Sequence, residues 1–375
     1  MSSNDFIPVC EPNLGGRELE YVTKAISGGW ISSSGSYVAE FERAFAKYLD
    51  VPYAVTTTSG TTALHLALVA AGIGPGDEVI IPAFTMIASA FAVCYTGAKP
   101  VFVDADASNW NIDPALVEPK ITAKTRAIMP VHVYGHSCDM DALQAIADKH
   151  GLLVIEDAAE AIGSRYKGRL CGGIGDMSCF SLFANKLITT GEGGLVVARD
   201  ERFIERLRYY KNLCFPLDGS RRYVHEDIGF NYRMPNVLAA IGLAQLERAD
   251  VYLEARRSNA VRYNALLGGQ SGIVTPPELS WTTNSYWMYS IMIDESFGIS
   301  RDQVMAGLKA AGIETRSFFV SMHRQPALAK FGCDVSGTYP VTDELAQKGL
   351  YLPSTAGLTD AQIARIAEAL LGLRK

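Results

Sequence analysis

Three features of the sequence predict an α/β fold with a mostly parallel sheet between helices. Short apolar runs alternate with helical spacings from residue 53 to residue 155, the pattern of repeated strand–helix units. Those runs are apolar at successive positions rather than at every second one, as strands covered on both faces require. Beyond residue 200 the alternation loosens, so a large unit over 1–250, including the N-terminal segment, and a smaller α+β unit over 251–375 are expected.

Residues 16–26 have helical spacing and run into a glycine- and serine-rich loop, 28–35, which carries Trp30. Strands are predicted at 53–57, 78–81, 100–103, 126–134 and 152–155, with helices at 60–71, near 85–96 and near 140–150. Two further apolar runs, 179–184 and 195–198, flank the turn Thr189-Thr-Gly-Glu-Gly-Gly194. The polar-aromatic loop 229–235 leads into one long helix predicted from Asn236 to about Ala265. Residues 286–293 read as a strand. Ser300 with Gln303, and Thr359 with Gln362, form two capping boxes that start helices, because each hydroxyl can take the third N–H while the amide reaches back.

Composition narrows the function. In 375 residues, 34 basic side chains face 40 acidic ones, a net charge of −6, which leaves no electrostatic footprint for nucleic acid or an anionic membrane surface. No apolar run approaches the ~20 residues that span a bilayer. The N-terminus has neither the basic start nor the apolar core of a signal peptide. Seven scattered cysteines without a CxxC pair argue against a zinc or disulfide framework and for a reducing, cytoplasmic setting. No HExxH or clustered His/Cys spacing exists, so no metal is expected.

The chemistry points to two stretches. Lys186 stands between apolar neighbours beside the glycine-rich turn. A buried ammonium loses charge readily and then becomes the nucleophilic amine that a Schiff base needs; the competing reading is a stem packed on the strand with its head in water. In the second stretch, Glu156 and Asp157 close the apolar run 152–155. Ligands of open α/β sheets sit outside the carboxyl ends of the strands. A carboxylate there can hold a pyridine nitrogen protonated, making pyridoxal phosphate (PLP) an electron sink while a lysine carries its aldehyde. The polar junction Thr58-Ser-Gly-Thr-Thr62 opens into an apolar helix and can bind an anion or simply cap the helix. No GxGxxG follows a strand, and the stretch 163–169 ends in Arg169 where a P-loop requires lysine.

Glu156-Asp-Ala-Ala-Glu160 followed by Phe180-Ser-Leu-Phe-Ala-Asn-Lys-Leu-Ile-Thr-Thr-Gly-Glu-Gly-Gly194 resembles the sugar-nucleotide aminotransferases, the DegT/StrS family of fold-type I PLP enzymes, over nearly the whole chain. That resemblance implies a homodimer with composite sites, a nucleotide-linked keto-sugar as acceptor and glutamate as amino donor. It makes Lys186 the cofactor lysine and proton carrier, and Asp157 the partner of the ring nitrogen. Gly60, Thr61 and Ser181 would hold the PLP phosphate, and Asn231 would reach the phosphate of the neighbouring subunit. Glu160, where relatives carry Gln, His or Glu, would contact the ring face or substrate. The loop with Trp30 and the segments with His132 and His323 match segments that border the substrate cleft, and Arg316 has the fork suited to a diphosphate. Met86 departs from the family: relatives usually place an aromatic there to stack on the ring, and a thioether could cover it instead. His65, on the helix after the phosphate loop, is expected to be a core residue. The overall resemblance favours GDP-4-keto-6-deoxy-D-mannose, giving GDP-perosamine for lipopolysaccharide O-antigen, over a UDP- or dTDP-linked hexose. A PLP dehydratase of the same fold is disfavoured because the dehydratases without a cofactor lysine carry histidine at that place. A PLP-sensing regulator would need an added DNA-binding unit.

Overall fold

The computed structural model describes residues 6–220 and 223–375; the first residues of the segment read for a targeting signal lie outside that range. Helices α1 (Glu18–Ser27) and α2 (Ser36–Leu49) precede strand β1 (Tyr53–Thr57). Then come α3 (Gly60–Ala70), β2 (Glu78–Pro82), α4 (Ile87–Tyr95), β3 (Lys99–Val103), β4 (Thr125–Ile128), α5 (Met140–His150) and β5 (Leu153–Asp157). Two short strands, β6 (Arg165–Tyr166) and β7 (Arg169–Leu170), lead to β8 (Met177–Ser181), β9 (Gly194–Ala198) and α6 (Glu201–Lys211). Seven strands form one sheet in the order β1-β9-β8-β5-β4-β2-β3. The pairs β2–β3, β2–β4, β4–β5 and β5–β8 are parallel, whereas β9 runs antiparallel to both its neighbours.

Consecutive side chains of a strand face opposite ways, and here both ways lead into core. Ile80, Val154 and Val197 pack with Phe41, Phe45 and Leu143 on one side. Their neighbours Ile81, Ile155 and Val196 pack with Leu64, Leu66 and Val93 of α3 and α4 on the other. The continuous apolar runs in the sequence thus have their physical cause in double coverage.

The C-terminal part carries α7 (Asn236–Leu246), α8 (Ala249–Leu267), β10 (Ile273–Val274), β11 (Thr282–Thr283), β12 (Tyr289–Ile293), α9 (Arg301–Ala310), β13 (Arg316–Ser317), α10 (Pro326–Phe331), α11 (Pro340–Lys348), β14 (Gly349–Leu352) and α12 (Asp360–Leu371). A sheet β10-β12-β14-β13 and helices α8, α9 and α12 enclose a separate core around Tyr263, Ile291, Leu308 and Ile366, which Ile7 also enters. Both capping boxes form, Ser300 with Gln303 and Thr359 with Gln362.

Two sequence expectations are corrected, and two helices are added. The helix expected over 236–265 is two helices broken at Glu247–Arg248, with Gln245 buried at the break and donating to Asn13 O at 2.7 Å and Glu18 Oε1 at 2.6 Å. No glycine or proline marks the place. The strand expected over 126–134 stops at Ile128, before Pro130, which has no N–H for a ladder. Helices α2 and α6 were not foreseen.

Glu156 shows how a charge is kept inside this sheet. It is fully buried, and its oxygens accept from the N–H groups of Gly172, Ile174 and Gly175, from Ser178 Oγ and from His132. Cys138 N–H points at His132 Nδ1 at 3.0 Å, so that nitrogen accepts and Nε2 carries the proton given to Glu156 at 2.9 Å. Burial alone would raise the pKa of Glu156, but the His132 hydrogen bond and the N–H donors outweigh it and hold it below the ordinary 4.5. Replacing Glu156 by Gln sets an NH₂ against these donors and should cost about 3–5 kcal/mol in urea unfolding at neutral pH. A depressed folded pKa stabilises above the unfolded value and is lost as pH falls through the folded one. The gap between wild type and E156Q should therefore narrow below pH 4.5.

Candidate active site

The connection between β8 and β9 holds Lys186 in place through its own backbone. Leu182 N–H donates to Gly193 O and Thr190 N–H to Leu182 O. Thr189 Oγ1 accepts from Gly191 N–H, where φ is +81° and glycine meets the turn at no steric cost. Lys186 N–H closes a turn on Phe183 O at 2.9 Å. From α8, the buried Arg256 donates to Trp287 O and to Lys186 O. Trp287 Nε1–H donates to Asn185 O at 2.9 Å. The side chain of Lys186 is 10% exposed, with Nζ 3.9 Å from Glu160 Oε1 and 3.6 Å from the centre of the Trp287 ring.

Two carboxylates face the lysine from the end of β5 and the turn after it. Asp157 Oδ2 accepts from Ser89 Oγ at 2.8 Å, and Oδ1 from Ala159 N–H at 3.2 Å. Glu160 Oε2 accepts the N–H of Tyr134 at 2.8 Å, a residue held at φ +54°. Burial drives every shift here. It raises Asp157 above its ordinary value, raises Glu160 to about 7 against the pull of Lys186, and lowers Lys186 against the pull of Glu160 and Asp157.

Opposite these groups α3 begins. Ser59 caps it by accepting Thr62 N–H, and Thr62 Oγ1 accepts Ser59 N–H. The N–H groups of Gly60 and Thr61 take no acceptor among the described residues, and a helix start of this kind draws an anion. A Cβ on Gly60 would come within 2.8 Å of Ser181 Cβ, so glycine lets the end of β8 lie against the helix start. Ser59, Gly60, Thr61, Met86, Asp157, Glu160, Ser181 and Lys186 line one cavity of about 340 Å³ with Trp287, Phe319 and Tyr351.

Other candidates are placed elsewhere. His132 is buried behind the sheet with both ring nitrogens engaged by Glu156 and Cys138, which leaves neither for a substrate. His323 packs on Tyr339 at 4.8 Å and pairs with Asp343 at 3.2 Å, outside the cavity. Trp30 is exposed at a separate hollow of about 580 Å³ shared with Asn236. Arg316 lies beside the lining residue Tyr351 in the β13–β14 ladder, with a half-exposed side chain. Asn231 is exposed and bridged to Asn212, away from the cavity of its own chain. Met86, unlike these, lines the cavity; it is half-exposed and its Sδ accepts Ala88 N–H at 3.0 Å, capping α4. His65 sits in the core and meets Tyr232 Oη at 3.0 Å. Sequence reasoning missed Trp287, Ser89, Arg256, Phe319 and Tyr351. Ser89, the one serine inside the apolar helix α4, was the one visible signal.

Comparison with known proteins follows the same line. The model of the DegT/DnrJ/EryC1/StrS aminotransferase family matches residues 12–371. The chain is 47% identical to GDP-perosamine synthase of Caulobacter vibrioides over 99% of both sequences. It is 43% identical to GDP-perosamine synthase of Escherichia coli O157:H7 over 97% of this chain and 98% of that protein. Among solved structures, S. venezuelae DesV in complex with a ketimine intermediate superposes with a TM-score of 0.88 at 37% identity, covering 95% of this chain and 94% of that one. The putative sugar aminotransferase Spr1654 of Streptococcus pneumoniae, solved in its PLP form, gives 0.92 at 29% identity over 98% of each chain.

Proposed function

The chain belongs to the DegT/DnrJ/EryC1/StrS aminotransferase family, and from that membership we infer that it is a PLP-dependent aminotransferase that converts GDP-4-keto-6-deoxy-D-mannose to GDP-perosamine. Relatives carrying that name align over nearly the whole length. The observation that carries the reading is a buried lysine and two buried carboxylates in one cavity with a helix start whose first N–H groups are free.

The residues present fit the cofactor. Gly60 and Thr61 N–H with the Ser181 hydroxyl would hold its phosphate. Asp157, kept in place by Ser89, would hold the ring nitrogen protonated. When bound, PLP supplies an aldehyde for amines and a ring that takes up electrons. Lys186 Nζ would carry that aldehyde at rest. Freed by the donor, glutamate, its amine would move the proton from the donor's Cα to the aldehyde carbon of the cofactor, and in the second half from that carbon to the sugar carbon that receives the amine. The apolar wall of Trp287, Phe319 and Tyr351 excludes water from this transfer. Arg316, next to Tyr351, would meet the diphosphate.

Incubation of the protein, PLP and glutamate with GDP-4-keto-6-deoxymannose should yield the amino-sugar mass. Borohydride should fix PLP to the peptide containing Lys186, and Lys186→Ala should abolish turnover. Product only from a UDP- or dTDP-linked ketone would replace the acceptor assignment.

A homodimer with shared sites accounts for Asn231, exposed near Ile228, which is 90% exposed. Asn231 then completes the phosphate site of the partner. Asn231→Ala should release PLP faster from a protein that still sediments as a dimer; a fully active monomer would refute the shared site.

Met86, on the cavity wall, would cover the cofactor ring with its thioether, a contact worth about 0.3–1.5 kcal/mol. Aromatic contacts are of similar size, about 0.5–1.5 kcal/mol. Met86→Tyr should keep PLP bound with an altered absorbance, whereas Met86→Ala should lose it faster. Both variants matching wild type would move the role to another residue.

A further inference from the structure

We propose that the indole face of Trp287 and the carboxylate of Glu160 form a receptacle for the free ammonium of Lys186, holding the lysine head whenever it is not joined to the cofactor. This rests on the reading of Lys186 as the cofactor lysine. Trp287 and Glu160 are thereby positioning residues that act through the lysine.

The geometry is specific at both contacts. Lys186 Nζ lies 3.6 Å from the centre of the Trp287 ring, well inside the range in which a ring quadrupole attracts a cation. It lies 3.9 Å from Glu160 Oε1, close enough for Coulomb attraction and too long for a good hydrogen bond. The head is therefore held by charge on two sides without being locked, as a group that must leave and return requires.

Each half of the receptacle is fixed independently of the lysine side chain. Glu160 is anchored through its other oxygen by Tyr134 N–H. Trp287 is tied through Nε1–H to Asn185 O, the residue before the lysine. Arg256 joins the carbonyls of Trp287 and Lys186. Indole and lysine backbone are thus fastened to one another, which an apolar wall alone would not require. Phenylalanine or leucine could fill the same space.

The need for such a receptacle follows from burial. Desolvation pushes the Lys186 amine toward the neutral form. The charged and titratable groups around it are Glu160 and Asp157, which favour the ammonium, Arg256, which opposes it, and Cys10. Burial, with the nearby charge of Glu160, raises the phenols of Tyr134 and Tyr351. With Arg256 serving the backbone, Trp287 supplies attraction to the cation without adding a third negative charge beside Asp157.

The test uses the holoenzyme after excess glutamate has freed the lysine. Trace acetic anhydride is applied across the amine's titration range, and acetylation of Lys186 is read by peptide mass against surface lysines. At neutral pH, Trp287→Leu should raise relative labelling about fivefold and Glu160→Gln roughly tenfold, because the ammonium loses a partner. In both the labelling midpoint should move to lower pH. Trp287→Phe should recover part of the loss, since a smaller ring face remains. If the midpoint stays at the wild-type position while only the plateau rises, the variants have merely opened access and the receptacle is refuted. Unchanged labelling in all three refutes it as well. Failure of borohydride to link PLP to Lys186 in the resting wild type would instead overturn the reading beneath it.

Discussion

The burial of one amine against two carboxylates is the constraint on which the rest of the site depends. Removing three ionisable groups from water is expensive, and mutual attraction repays it only where the remaining lone pairs and protons are satisfied. Here Ser89 and Ala159 N–H satisfy Asp157, Tyr134 N–H satisfies one oxygen of Glu160, and the lysine has Glu160 and an aromatic face. These partners come from four segments of chain: Ser89 in α4, Tyr134, the turn after β5 with Ala159 and Glu160, and Trp287. The cavity can therefore exist only when the sheet, the β8–β9 connection and the C-terminal part are assembled together.

Glu156 and Asp157 show how a strand separates structural from chemical work. They are adjacent, and strand geometry sends their side chains to opposite faces. Glu156 gathers donors from the turn 172–175, from Ser178 and from His132, and its pKa falls. Asp157 turns toward the cavity with fewer donors, and its pKa rises. One side of the strand end secures the loops beneath β8 while the other holds a carboxylate ready for a charged partner. Parallel strands deliver such pairs naturally, because their carboxyl ends gather along one edge of the sheet.

The C-terminal part contributes the wall rather than the reactive groups. Trp287, Phe319 and Tyr351 line the cavity, and Tyr134 joins them through rings 6.2, 5.2 and 5.9 Å away. Arg256 and Asn185 O connect this wall to the lysine. The cavity is thus closed by residues far in sequence from Lys186 and Asp157.

The sequence by itself determined the fold class, the lysine, the carboxylate at the end of β5 and the helix start that faces them, because each is a local pattern. An apolar run, a glycine-rich turn and a capped helix are all written within a few residues. Both C-terminal capping boxes were legible for the same reason. Trp287 and Arg256 were not legible, since their roles are set by contacts to Asn185 and Lys186 across 102 and 70 positions of chain. His132 read as a cleft residue because its segment lines the cleft, yet only the packing shows its ring turned to Glu156. The break between α7 and α8 escaped notice because no proline or glycine causes it; the buried Gln245, held by Asn13 and Glu18 from the far end of the chain, sits where the helices part. Tertiary structure decided those features because burial and long-range pairing act between segments, whereas propensity and periodicity act within them.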